Sequence, residues 1–196
     1  MTMTLGIPDP TPITVEYWQD PEAYQTAMED TLGMRAPGSR GYVTGPDNVR
    51  ILIVGQPDAS REAVHELIHA LTLQLNPDFG NNPRWLWESV AQYYAGERRD
   101  LAVLEGAFAK GCPTIETLNS PFDQGGTIYS VGYSIGEFVE SKWGPKALPD
   151  LVVTNGDTDL TLGISLDEFH RQWCESAEQG IRNQAQITAD LPVTSH

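Results

Sequence analysis

The stretch His65-Glu66-Leu67-Ile68-His69 decides how the rest of this sequence is interpreted. It lies in a segment whose apolar residues recur at helical spacing, at Val64, Leu67, Ile68, Leu71 and Leu75. Residues four apart on a helix share one face, so the two imidazoles can bind one zinc ion. Glu66 is rotated by about 100° from His65, where its carboxylate can accept a proton from a metal-bound water. The pattern therefore predicts zinc-dependent hydrolysis, with His65 and His69 as metal ligands and Glu66 as general base.

A catalytic zinc ion usually has three protein ligands, and the next predicted helix offers a third. This helix reads Trp85-Leu-Trp-Glu88-Ser-Val-Ala-Gln-Tyr93, and eighteen residues separate His69 from Glu88. The two motifs and their spacing resemble the gluzincin metallopeptidases. In the small peptidase-MA-like members of that family the second helix often reads W-L-x-E-G-x-A-x-Y, and Ser89 stands here where glycine is usual. The resemblance covers about residues 48 to 175, and it implies that His65, His69 and Glu88 bind one Zn²⁺ ion.

The predicted elements indicate an α+β protein, and the resemblance implies a zincin-like fold. Such a fold has a small N-terminal mixed sheet with helices, then the active-site helix, then a helical C-terminal lobe. We expect a loose N-terminal arm over residues 1–12, a single metallopeptidase domain over 13–182 and a flexible tail over 183–196. Within the domain, the α/β lobe covers about 13–75 and the helical lobe about 76–182.

Strand and helix signals divide the chain further. Alternation of apolar and polar residues predicts a half-buried strand at 13–18, and the mostly apolar run at 49–54 predicts a buried strand. A short edge strand is predicted at Tyr42-Val43, in a turn-rich stretch. Helical spacing and capping residues predict helices over 21–32, from Asp58 or Ser60 to 75, over 85–95, from 101 to about 111, from Gly125 or Thr127 to 143, from 145 to about 154, and from 166 to about 182.

Two further positions are candidates for supporting roles. A metal-bound histidine normally donates its other N–H to an acceptor, and the Gln92 amide could accept it from His65. The alternative is that Gln92 is an exposed glutamine. The segment Tyr129-Ser-Val-Gly-Tyr133 partly resembles the Y-x-K-G-A segment of the zinc aminopeptidases, although its lysine and alanine are absent here. That resemblance implies Tyr129, in preference to Tyr133, as the donor that stabilises the oxyanion, and a core tyrosine is the alternative.

The charge balance narrows the possible partners. Asp and Glu number 27 against 12 Lys and Arg, which gives a net charge of −15 and a pI near 4.4. Such a chain is repelled by phosphate backbones and anionic lipids, so we expect neither a nucleic acid nor a membrane as partner. No apolar run reaches the roughly 18 residues that span a bilayer, and no secretion leader is evident. We expect a soluble protein, in the cytoplasm or secreted after removal of a leader, of unspecified oligomeric state.

The two cysteines, Cys112 and Cys174, are too few for a disulfide framework. We expect two reduced, partly buried thiols, and a single bridge between them is the alternative. His170 lies in the last predicted helix, and we expect it to be solvated.

Together these patterns predict a zinc metallopeptidase that hydrolyses a peptide or protein substrate. We expect an endopeptidase, because the G-x-M-E-N segment with which many aminopeptidases hold a free amino terminus is absent. Tyr42-Val43 is the candidate strand for pairing with an extended substrate. A second hypothesis is a latent or catalytically silent zinc-stabilised scaffold, and a third is a zinc hydrolase acting on a non-peptide ester or amide.

Overall fold

The computed structural model describes residues 5–7, 9–54, 59–121 and 126–190, with side chains up to residue 186. These residues form an α+β structure in which a small sheet near the N-terminus is followed by helices. The elements in chain order are β1 (Thr14–Trp18), α1 (Pro21–Leu32), β2 (Gly41–Gly45), β3 (Asn48–Leu52), α2 (Ala59–Leu75), α3 (Arg84–Tyr94), α4 (Leu101–Phe108), α5 (Ile115–Leu118), α6 (Thr127–Trp143), α7 (Ala147–Val153), α8 (Thr158–Leu162) and α9 (Leu166–Asp190).

The sheet is mixed, with the strand order β1-β3-β2. β1 pairs with β3 in parallel and β2 pairs with β3 antiparallel, so that Val15 and Val43 both lie opposite Val49. Val49 and Ile51 are fully buried and pack against α2, because alternate residues of a strand point to the same face. Among the described strands β2 pairs with β3 alone, which confirms the predicted edge strand at Tyr42-Val43.

Most of the predicted helices are present, and two of the predicted N-cap residues form the expected hydrogen bonds. The Asp20 carboxylate accepts hydrogen bonds from the backbone N–H groups of Glu22 and Ala23 at 2.9 and 3.2 Å, so it caps α1. The Ser165 hydroxyl caps α9 by accepting from the Glu168 backbone at 3.2 Å. The short helices α5 and α8 were not predicted. Asp58 and Gly125, proposed as helix starts, lie outside the described residues.

The main core lies where α3, α6, α7 and α9 meet, and two glycines of α6 bring α3 close to it. A Cβ atom on Gly132 would lie 2.5 Å from Gln92 Nε2, and one on Gly136 would lie 2.4 Å from Tyr93 Cβ. The absence of these side chains lets the two helices approach closely. Since α3 also packs against α2, its position relative to the His65–His69 pair is set from both sides.

The ends of the chain contact the domain further than the sequence suggested. Leu5 is buried in the main core, and the Thr11 backbone N–H donates to Gln74 Oε1 at 3.0 Å, so the described part of the arm is attached. α9 continues to Asp190, eight residues beyond the expected start of the tail near Arg182. Residues 191–196 lie outside the described residues. None of the helices in the described ranges has the length and apolar character that a membrane span requires.

The expectation of two reduced cysteines was wrong, because Cys112 and Cys174 form a disulfide bond of 2.02 Å. Their Cα atoms lie 5.8 Å apart, within bonding range, although 62 positions separate them in the chain. The bond joins the loop between α4 and α5 to α9. His170 is half-buried beside it and not solvated, and its Nε2 donates to the Pro113 carbonyl at 2.8 Å.

Candidate metal centre

Two adjacent helices supply the residues of the candidate site. α2 carries His65 and His69 one turn apart on its inner face, and α3 carries Glu88 at its middle. All three residues are buried, with exposed fractions of 6%, 4% and 4%. Burying two imidazoles and a carboxylate together is costly unless they compensate one another or hold an ion. The three predicted ligands therefore lie together in the interior.

Three ligand atoms converge on one point between these helices. His65 Nε2 lies 3.1 Å from His69 Nε2, and Glu88 Oε2 lies 3.4 Å from His65 Nε2 and 3.8 Å from His69 Nε2. Ligand atoms at about 2.0–2.1 Å from a tetrahedral zinc ion are separated by about 3.4 Å. Glu88 Oε2 is buried and accepts no hydrogen bond from the described part of the chain. The cluster thus matches the dimensions of a metal site and holds an acceptor oxygen available to an ion.

The His65 ring is held by Glu97, which the sequence analysis did not identify. His65 Nδ1 lies 2.9 Å from Glu97 Oε1, so Nε2 is left to face the other ligands. Glu97 follows α3, where Gly96 adopts a positive φ of 70° and the chain turns back. The Gly96 and Glu97 N–H groups donate to the Tyr93 and Gln92 carbonyls at 3.1 and 2.9 Å, the two bonds of a Schellman motif. A helix-ending glycine followed by an acid is the signal that could have indicated this residue.

The proposed role of Gln92 as the partner of His65 was wrong. Its side-chain N–H donates to the Ile128 carbonyl of α6 at 3.1 Å, and the residue is fully buried between α3 and α6. It is therefore neither the His65 acceptor nor an exposed glutamine. Gln92, one turn along α3 from Glu88, therefore links α3 to α6.

The two histidines have opposite pKa shifts. Burial lowers the pKa of His65, but the Glu88 and Glu97 carboxylates outweigh burial and raise it well above its usual value. Burial and the positive charges of His65 and Arg84 lower the pKa of His69 well below its usual value. Burial acts to raise the pKa of Glu97, but the hydrogen bond and charge of His65 lower it overall. A metal ion that binds both rings therefore displaces a proton from the pair.

Glu66 lies in the wall of a cavity of about 440 Å³ that also contains His65, His69 and Glu88. Burial raises the pKa of Glu66 to about 8, against the opposing charge of His65. A carboxyl with this pKa is mostly protonated at neutral pH, and the positive charge of a metal ion bound beside it would favour the ionised form that a general base requires. Glycine at position 41 makes room for it, since a Cβ there would lie 2.5 Å from Glu66 Cγ.

Tyr129 and Arg84 complete the polar side of the cavity. The Tyr129 hydroxyl donates to Glu88 Oε1 at 3.1 Å, and Arg84 Nη2 donates to the Tyr129 oxygen at 3.1 Å. Burial and the Glu88 charge raise the pKa of Tyr129. Tyr133 packs against Tyr93, with ring centroids 5.5 Å apart, and does not line this cavity. Of the two candidate tyrosines, only Tyr129 lies at the candidate metal centre.

Comparison of the chain with protein-family models, with curated proteins and with solved structures finds no match. The functional interpretation therefore rests on the geometry and chemistry of the site.

Proposed function

We propose that this protein is a single-zinc metallopeptidase with a zincin-like fold of the gluzincin type. The observation that carries the proposal is the convergence of His65 Nε2, His69 Nε2 and Glu88 Oε2 within 3.1 to 3.8 Å of one another. Two imidazoles and one carboxylate are a common ligand set of catalytic zinc, and they leave a coordination position for water. The placement of edge strand β2 beside α2, with a helical lobe following, supports the fold assignment.

The three ligands, Glu66, Glu97 and Tyr129 each have a role in this proposal. His65, His69 and Glu88 would hold the zinc ion, which when bound would supply a water of lowered pKa, toward about 7, and a Lewis acid for the carbonyl. Glu66 takes the proton of the attacking water and delivers it to the leaving amine. Glu97 holds the His65 ring in the orientation that ligation requires. Tyr129 holds the Glu88 carboxylate through its hydrogen bond and is the candidate donor to the oxyanion.

The shape of the cavity favours an extended peptide as substrate. Strand β2 lines it from Gly41 to Gly45, and the side of β2 away from β3 has no strand partner in the described chain. An extended segment can pair with such an edge through main-chain hydrogen bonds. Apolar side chains from α1, α2 and α3 line the same cavity and can hold a hydrophobic side chain, and they include Met28, Leu32, Leu73 and Trp87.

The proposal is tested with the Glu66→Gln variant and with Glu105→Gln as a matched control, because Glu105 is an exposed acid of α4. Zinc content is measured by elemental analysis, and cleavage of casein is measured with and without a chelator. We expect one zinc ion per chain in all three proteins. We expect cleavage to fall by about 10²- to 10⁴-fold in Glu66→Gln alone, the usual contribution of acid–base catalysis. Wild-type cleavage by zinc-loaded Glu66→Gln would contradict the mechanism.

A second candidate function is a zinc-stabilised domain without turnover. The hydrogen bond from Tyr129 to Glu88 favours it. A Tyr129 hydroxyl that donates to the Glu88 carboxylate is not directed at a substrate. Stoichiometric zinc without cleavage of casein or of a peptide library by the wild-type protein would select this alternative.

A further inference from the structure

Arg84 is a buried cation in the cavity to which the sequence analysis gave no role. It is the first residue of α3, one turn before Glu88, and its side chain is 8% exposed. Its Nη2 lies 3.1 Å from the Tyr129 hydroxyl and 3.7 Å from Glu88 Oε1, and its guanidinium carbon lies 5.5 Å from the centre of the Tyr129 ring. The guanidinium therefore lines the same cavity as Glu66 and the three ligands.

The position of this charge is unfavourable for metal binding. A cation beside Glu88 competes with a metal ion for the negative charge of that carboxylate, and it repels the metal ion itself. The neutral Tyr129 hydroxyl already donates to Glu88 Oε1, so the carboxylate can be oriented without a buried positive charge. Burying a guanidinium is costly. Tyr129 can therefore orient the ligand, while the guanidinium, 3.7 Å from Glu88 Oε1 in the cavity wall, is placed to meet a negative charge that enters the cavity.

We propose that Arg84, together with Tyr129, is the anion-binding element of the cavity and receives the oxygen that becomes negative during hydrolysis. The inference rests on the proposed function and names a further residue of that site. In the step concerned, the water oxygen bonds to the scissile carbonyl carbon, its proton passes to Glu66, and the C=O π electrons move to the carbonyl oxygen. The C–N bond then breaks, the carbonyl re-forms, and the amine leaves with the proton from Glu66.

The chemistry of the side chain fits this role. A guanidinium presents N–H groups in a planar fork, so one can keep its bond to Tyr129 while another contacts an incoming oxygen. Hydrogen bonds between ionised groups are stronger than neutral ones, and the buried setting strengthens them further. The helix position fixes the group, because Arg84 and Glu88 lie on one face of α3.

Inorganic phosphate is the probe for this site, because it is a tetrahedral anion. Its binding can be measured whether or not the protein cleaves peptides. Zinc-loaded wild-type protein and the Arg84→Met, Arg84→Lys and Arg98→Met variants are titrated with phosphate by calorimetry, and their zinc affinities are measured separately. Arg98 is the matched control, because its side chain is 67% exposed, pairs with Glu137 and does not line the cavity.

We expect Arg84→Met to bind phosphate at least about tenfold more weakly than wild type, with zinc affinity equal or higher because a repelling charge is gone. Arg84→Lys keeps the charge without the fork and should lie between the two, and Arg98→Met should match wild type. Equal phosphate affinity in all four proteins, or weaker zinc binding in Arg84→Met without a change in phosphate affinity, would overturn the inference.

The result of the Arg84 test can be distinguished from the result of the peptidase test. If casein and peptides are not cleaved but phosphate binding depends on Arg84, the peptidase proposal fails and the anion site stands. If a cleaved peptide is found, Arg84→Met should lower kcat with little change in KM, because the charge acts only on the developing oxyanion. A rise in KM alone would instead place Arg84 in ground-state substrate binding and overturn the inference.

Discussion

Single residues in this site are governed by how buried charges are compensated. The His65 ring lies between two carboxylates, Glu88 on its Nε2 side and Glu97 on its Nδ1 side. The His69 ring instead stacks on Trp87, with centroids 4.1 Å apart and an interplanar angle of 7°. The two proposed metal ligands therefore have different surroundings, one ionic and one mainly aromatic. Burial lowers the pKa of both rings, but the two carboxylates raise that of His65 overall, whereas the positive charges of His65 and Arg84 lower that of His69 further.

Glu97→Gln tests the ionic partner of His65. The amide can still accept a hydrogen bond from Nδ1, but it lacks the charge that increases the basicity of the ring. We expect zinc affinity to fall by about 10- to 100-fold, as for other partners of metal-bound histidines. The measurement is competition for zinc with a chelating dye. Glu105→Gln serves as control, and unchanged affinity in Glu97→Gln would show that Glu97 does not support the ligand.

Gly41→Ala tests the space reserved for Glu66. The added Cβ would lie 2.5 Å from Glu66 Cγ, so the proposed general base must move. We expect peptide cleavage to fall by about a hundredfold, as for other small displacements of reacting groups, with zinc still bound. Gly45→Ala on the same strand is the matched control, because its nearest neighbour, Asp47 Oδ1, would lie 3.5 Å away. Equal cleavage rates in both variants would count against the position assigned to Glu66.

At the scale of elements, the sequence predicted what depends on local pattern. Apolar spacing and capping residues were sufficient to predict α1, α2, α3 and α6, and the pentapeptide at 65–69 was sufficient to propose two ligands and Glu66. The helices α5 and α8, of four and five residues, are too short for a helical period to be recognised. Glu97 and Arg84 reach the site because the C-terminal turn and the packing of α3 place them there. Such tertiary placement leaves no periodic signal in one sequence.

The packing of α3 on α6 gives a prediction at this scale. Gly136→Ala places a Cβ 2.4 Å from Tyr93 Cβ, which is too close to the helix backbone to be relieved by a side-chain rotation. We expect the free energy of unfolding to decrease by about 1–3 kcal/mol, measured by urea denaturation. Gly106→Ala in α4 meets no atom within 4 Å and should instead increase stability by about 0.5–1 kcal/mol. A stable Gly136→Ala protein would mean that α3 and α6 are not so closely packed.

Across the whole molecule, the apolar clusters and the disulfide stabilise different regions. The sheet packs on one face of α2, while the main core lies among the helices that follow. The candidate metal centre lies between α2 and α3, where these two regions meet. The disulfide instead joins the α4–α5 loop to α9, and neither of these segments contains a proposed ligand. Stability and metal binding should therefore respond separately to its loss.

The Cys112→Ser/Cys174→Ser double variant tests this separation. Because the bond closes a loop with a sequence separation of 62, its loss frees the unfolded chain and should decrease the free energy of unfolding by about 4 kcal/mol. Zinc stoichiometry and peptide cleavage at a temperature well below unfolding should remain at wild-type values, since α2, α3 and β2 keep their contacts. Urea denaturation and elemental analysis of the same preparations measure both quantities. Loss of zinc from a variant that remains folded would show that α9 controls the geometry of the metal centre.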